Sequence, residues 1–273
     1  MVKKTTQSRS GSRRSKPGTE LVPAPAASGG RLVKLPDQGG VSVYKEKEVT
    51  LVVGQPFTFG DLSVVTDAVY YTGGEKPDGR NGRLGDADKI AWRDPATNYE
   101  CIIIRDPRGR YLSGYVAVPP GHPLYGFDHA AIPPDLDIEV HGGLTYSAIC
   151  DGGPSPRRRL LNEARSICHV PPGRLRYAPI EHATDHRPGH DDAWWFGFRC
   201  NHIYDVVPGA GNDRSRFLGH ETGATFKDEG YVYGQVIDLA AQLRAIADGE
   251  PKPRRTSAPP PPLGLDPEKG GRS

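Results

Sequence analysis

Three side chains in this sequence have the types and spacing that acid–base chemistry needs. His202 and Asp205 stand three residues apart after an aromatic run, and His141 stands just before Gly142-Gly143. A carboxylate beside an imidazole fixes its tautomer and raises its basicity, which suits a general base near neutral pH. If residues 202–205 turn helically, positions i and i+3 share a face and the pair can touch. The competing reading is a hydrogen-bonded pair that only ties a strand end to a loop. His141 offers a second acid/base or ligand group, because the glycines after it let backbone come close to a ligand. Its own competing reading is a tight turn in which the histidine caps exposed backbone. His141, His202 and Asp205 are the catalytic candidates.

Around them stand candidates for binding. Gly142 and Gly143 give access, Trp195 gives an aromatic surface, and Arg199 carries a planar fork that suits phosphate or carboxylate. His122 and Tyr125 lie in Gly121-His122-Pro123-Leu124-Tyr125-Gly126, whose Pro and Gly shape a rigid loop. Metal binding has less support. Cys150, Cys168-His169 and Cys200-Asn201-His202 include no CxxC or HxxxH pair, so structural zinc is not indicated. His141, His202 and Asp205 make a more open set for a catalytic metal, but we assign none. P-loop, dinucleotide-fold, GxSxG and HExxH signatures are missing too. No cofactor follows from what is present.

These residues need elements to hold them. Val41–Tyr44, Glu48–Val53 and Leu62–Val65 are β-branched runs bounded by turn residues and read as strands. Residues 73–88, rich in Gly and Asp, read as a loop. Glu100–Arg105 and Tyr111–Val118 flank Asp106-Pro107-Arg108-Gly109 and read as a hairpin. Ile138–Val140 and Ala193–Cys200 read as further strands. In the latter, alternation puts Trp195, Gly197 and Arg199 on one face and Trp194, Phe196, Phe198 and Cys200 on the other. Residues 151–191 read as an irregular loop. Val232, Val236, Leu239, Leu243 and Ile246 recur at helical spacing, with Asp228 as N-cap, Gly249 as C-cap and Pro251 beyond. Gly234 weakens that helix by about 1 kcal/mol relative to alanine.

The expected fold is therefore α+β: an antiparallel sheet with a C-terminal amphipathic helix on one face. A basic tail at 1–30, expected to be disordered, precedes a β-rich segment at 31–96. An α+β domain at 97–249 follows, and then a Pro-rich tail at 251–273, also expected to be disordered.

Composition limits the classes. Hydrophobic residues make up 36% of the 273, and there are 34 glycines and 27 prolines, so turns and long loops are many. Formal charge is only +2, yet residues 1–19 hold six basic and no acidic residues. Basic tails thus flank an acidic body, which allows weak nucleic-acid contact through the tails alone. No apolar run is long enough to span a membrane, and the N-terminus lacks the apolar stretch of a secretory signal. Four scattered cysteines fit a reduced, cytoplasmic protein.

Three strings together carry a resemblance. They are Gly114–Gly126 (GYVAVPPGHPLYG), Val140–Tyr146 (VHGGLTY), and Trp194–Phe198 followed by Cys200, His202 and Asp205. Over roughly residues 97–247 the chain resembles a family of small bacteriophage and prophage proteins of unsettled biochemistry. The resemblance implies a phage origin and the cytoplasm of a bacterial host. It also implies an acidic residue where this chain has Arg199, and so an altered activity if that carboxylate matters. Two functions follow as expectations. One is a hydrolase or transferase that acts on a small polar, nucleotide-like or anionic substrate by His/Asp chemistry. The other is a non-catalytic accessory or virion-associated module that binds a ligand, nucleic acid or host protein.

Overall fold

A computed structural model of the chain describes residues 33–34, 40–59, 62–73, 87–149, 160–168, 193–202, 204–210 and 224–259. All belong to one compact unit, Arg31–Ser273. The expectations for residues 1–30, for most of the 73–88 and 151–191 loops and for 260–273 fall outside the described residues.

Among the described residues, nine strands form one sheet in the order β1-β2-β3-β6-β7-β8-β9-β11-β10, and every pairing in it is antiparallel. In chain order they are β1 (Val33–Lys34), β2 (Ser42–Glu46), β3 (Val49–Val53), β6 (Ala68–Thr72), β7 (Lys89–Arg93), β8 (Glu100–Arg105), β9 (Leu112–Val118), β10 (Tyr146–Ile149) and β11 (Trp194–Arg199). A separate hairpin joins β4 (Pro56–Phe59) to β5 (Leu62–Val65). Among the described residues the α-helices are α1 (Leu160–Arg165) and α2 (Glu229–Asp248). The α+β class and the long helix on an antiparallel sheet are as the sequence indicates.

Alternation along each strand divides the core in two. Val69, Ile90, Trp92, Cys101, Ile103, Val116, Phe196 and Phe198 face α2 and meet Val232, Val236, Leu239 and Leu243. Leu51, Tyr70, Ala91, Ile102, Tyr115 and Trp195 face the other way and meet Leu160 and Ala164 of α1. With both faces covered, β8 and β9 are buried almost throughout. This explains why the run Cys101–Ile104 is apolar without a break. α2 begins at Asp228, whose carboxylate accepts from the Tyr231 amide, and ends at Gly249 in the left-handed conformation.

Several expectations need correction. The β-rich segment at 31–96 and the α+β domain at 97–249 share one sheet, since β7 pairs with β8. β7 follows directly on the expected 73–88 loop, and its Lys89 is a poor strand signal. Yet Lys89 is 1% exposed, and its ammonium donates to the carbonyls of Glu163, Ser166 and Cys168 at the end of α1. Ile138–Val140 is not a strand. The Glu139 amide donates to Gln242 and the His141 amide to Gln235, so glutamines of α2 take the place of a neighbouring strand. Part of the region expected to be irregular forms α1, and Cys168 is disulfide-bonded, so the cysteines are not uniformly reduced. Cys101 and Cys200 are free and buried.

The segment 251–259, expected to be solvated, lies against α2. Asp238, 4% exposed, accepts hydrogen bonds from the backbone and hydroxyl groups of both Thr256 and Ser257. A buried carboxylate needs such donors, and these residues supply four.

Candidate functional site

The three catalytic candidates come together at one end of α2. His141 follows Val140, which is anchored in the α2-side core. His202 lies just beyond β11, and Asp205 closes a turn by donating its amide to the His202 carbonyl. A parallel bridge from Asp205 to Thr225 ties this turn to the lead-in of α2. Tyr231, in the first turns of α2, completes the group.

Asp205 is the hub. Its Oδ2 lies 2.8 Å from Nε2 of His141 and 3.3 Å from Nδ1 of His202, and accepts from the His202 amide at 2.9 Å. Burial opposes its ionisation, but hydrogen bonds from His141 and His202 outweigh that and hold the carboxyl well below its usual range. Tyr231 Oη is 2.9 Å from Nδ1 of His141, and burial, with the nearby Cys200 and Asp205, pushes the phenol above its usual range. An ionised carboxylate can only accept, whereas a phenol can donate or accept. For rings that each carry one proton, the accepting carboxylate sets the donors. Tyr231 donates to His141 Nδ1, His141 Nε2–H donates to Asp205, and His202 Nδ1–H donates to the same oxygen. His202 Nε2 is left with its lone pair and no hydrogen-bond partner among the described residues.

The two histidines are thus unequal. The His141 side chain is 0% exposed and both ring nitrogens are engaged, whereas that of His202 is 13% exposed. Gly142 explains how they fit. Its φ is +65°, and a Cβ there would stand 2.0 Å from Cε1 of His202. The imidazole lies where any larger residue would put its first side-chain atom.

Lys227, like Tyr231, is a group that sequence reasoning missed. Its Nζ lies 3.8 Å from Asp205 Oδ1 and 5.3 Å from the centre of the Tyr231 ring. Oδ1 is otherwise buried without a hydrogen bond. The Lys227 ammonium and the Asp205 carboxylate offset each other in charge, with two imidazoles beside them.

The binding candidates scatter. Arg199 is on the face of β11 opposite Phe198, beside Tyr111 and Tyr115, while Phe198 packs towards His141 with ring centres 6.5 Å apart. Strand alternation, visible in the sequence, is what removes Arg199 from the site. Trp195 is on that same far face, 1% exposed, with its indole N–H unpaired among the described residues. His122 is buried, and its Nε2 is 2.8 Å from the Leu243 carbonyl. Leu243 lies twelve residues beyond Tyr231, about 18 Å along α2. Burial lowers the His122 pKa, as expected of an imidazole that pins a loop to the helix. Tyr125 packs on Trp194 at 5.9 Å. Of these candidates, Gly142 lies against the His202 ring.

The same three residues form a set that could hold a metal, since one ligand atom of each lies within 4.8 Å of the others. Nitrogen and oxygen ligands of one zinc ion would be about 3.0–3.5 Å apart, so modest movement suffices. The charges fit less well. Lys227 already neutralises Asp205, and a divalent ion would place like charge beside a largely buried ammonium.

Among the described residues no helix is long and apolar enough to cross a membrane. Compared with protein-family models, curated proteins and solved structures, the chain matches none.

Proposed function

We propose that this chain is an enzyme, a hydrolase or transferase, in which His202 is the general base and Asp205 orients it. The observation behind this reading is the split between the two ring nitrogens of His202. Nδ1 is committed to a buried, ionised Asp205, and Nε2 is free to take a proton from water or a substrate hydroxyl. His141 then holds Asp205 in place rather than serving as a second acid. Lys227, not Arg199, is the cation beside the site, and a small anionic or nucleotide-like substrate would compete with Asp205 for it. The phage origin suggested by the sequence motifs belongs to this proposal.

The test is a thermal-shift screen of nucleotides, phosphorylated metabolites and small carboxylates, with product analysis for each ligand that stabilises the protein. His202→Ala should abolish turnover and leave binding within about tenfold, because a general base acts mainly in the transition state. Equal turnover by the variant would sink the assignment.

A second reading has one observation in its favour. The His202 side chain is only 13% exposed, which leaves a substrate little room. On that reading the protein is a phage accessory or virion-associated binding module. Ligand binding without product from any ligand would favour it.

A further inference from the structure

Gln235 is a buried glutamine in the middle of α2, 0% exposed, and every polar atom of its amide is used. Its Oε1 accepts from the His141 backbone amide at 3.1 Å and from Arg255 at 2.9 Å. Its Nε2 donates to Ser257 Oγ and to the Ala258 carbonyl. One side chain therefore touches both the His141 loop and the segment that runs back along the helix. Arg255 makes the same link, donating to the Glu139 carbonyl at 2.7 Å, while Lys252 pairs with Asp137 and Glu139.

An independent feature shows that this docking is built into the helix. Gly234 is a costly residue for a helix interior. A Cβ at that position would stand 2.8 Å from the Cβ of Ser257. The glycine makes room for the returning segment.

We propose that Gln235 and Arg255 are positioning residues, and that the segment Lys252–Ala258 is a clasp that holds the His141 loop and, through it, the Asp205–His202 pair. The clasp acts at one remove. It fixes the backbone on both sides of Val140, and the His141 ring then bridges Tyr231 and Asp205. Release of the segment frees the loop while leaving the sheet intact. This inference does not depend on the enzyme reading, because a clasp serves a binding site equally well.

The test compares the full chain with a chain ending at Glu250 and with Gln235→Leu and Gln235→Glu. Amide exchange is read at His141 and at Ile103, which lies in the centre of the sheet. Loss of one buried backbone hydrogen bond should speed His141 exchange about tenfold. Gln235→Leu should show this, with Ile103 unchanged. The truncation removes Arg255 and Ser257, which hold Gln235 and the Glu139 carbonyl, and should speed His141 exchange in the same direction, again with Ile103 unchanged. Gln235→Glu keeps the Oε1 acceptor for His141 and for Arg255, so it should recover most of the protection. A second readout is the NMR chemical shift of the His202 ring, which reports its contact with the His141 ring and which a merely structural tail would not move. Among the described residues the His202 ring meets Asp205 and the His141 ring, and of these two release of the clasp displaces His141. Unchanged His141 exchange in the truncated chain would overturn the proposal. So would equal loss at Ile103, since the segment would then hold the whole fold rather than the loop.

Discussion

At the scale of single residues, the site is decided by where protons and charges can rest. Asp205 is buried beside two imidazoles and an ammonium, and its ionised form is favoured only because they donate to it or pair with it. Lys227 therefore sets what else the site accepts. Lys227→Met removes the competing positive charge and should raise affinity for Co2+ or Zn2+ at least about tenfold, read from the cobalt absorption spectrum or by calorimetry. Equal affinity in the parent and the variant would remove the charge argument against a metal. The His202–Asp205 pair was legible in the sequence because its spacing is local. Lys227 was not, since it reaches Asp205 only after the chain has returned through a bridge at Thr225. Arg199 shows the opposite case. Its distance from the site follows from strand alternation already visible in the run Trp194–Arg199.

At the scale of elements, two helix features make predictions that run against simple propensity. Gly234→Ala would ordinarily stabilise a helix by about 1 kcal/mol. Here the added methyl meets Ser257, so the variant should lose protection at Thr256 and Ser257 and gain no stability by urea denaturation. A gain in stability with the segment still docked would contradict the close approach. Lys89 gives the second case. Its ammonium terminates α1 through three carbonyls. Lys89→Met removes a charged donor from all three carbonyls and should cost about 2–4 kcal/mol, with exchange at Ser166 rising before exchange at Ile103. The major strands and α2 were readable because their apolar periods are clean. β7 and α1 were hidden because a buried lysine looks like a surface residue until its carbonyl partners are known. The false strand at Ile138–Val140 has the converse cause: three residues alternate correctly, but glutamine side chains satisfy the backbone.

At the scale of the whole molecule, stability should depend on pH through Glu229. It is 5% exposed in the first turn of α2, and burial pushes its carboxyl up to about 7, with Asp228 adding to the shift and Arg105 opposing it. The folded protein keeps this proton to near neutrality, while the unfolded chain releases it near the ordinary value of 4.5. Folding therefore binds more protons in that window, and stability falls as pH rises through it, by at most about 3 kcal/mol. Urea midpoints at pH 5 and pH 8 should differ in that direction for the parent and converge for Glu229→Gln. Asp205 acts in the opposite sense. Its depressed carboxyl contributes stability above its unfolded value, and that is lost only as pH falls through the acid range.

The contact between Gly142 and His202 also constrains how such a chain can evolve. The imidazole occupies the volume that any side chain at position 142 would enter first. The two positions are far apart in sequence, yet they cannot change independently. A lineage that keeps the histidine must keep the glycine, and a residue larger than glycine at 142 should appear only where 202 has already lost its ring. A set of diverged relatives that pair a bulky residue at 142 with an intact histidine at 202 would show that the ring can stand elsewhere.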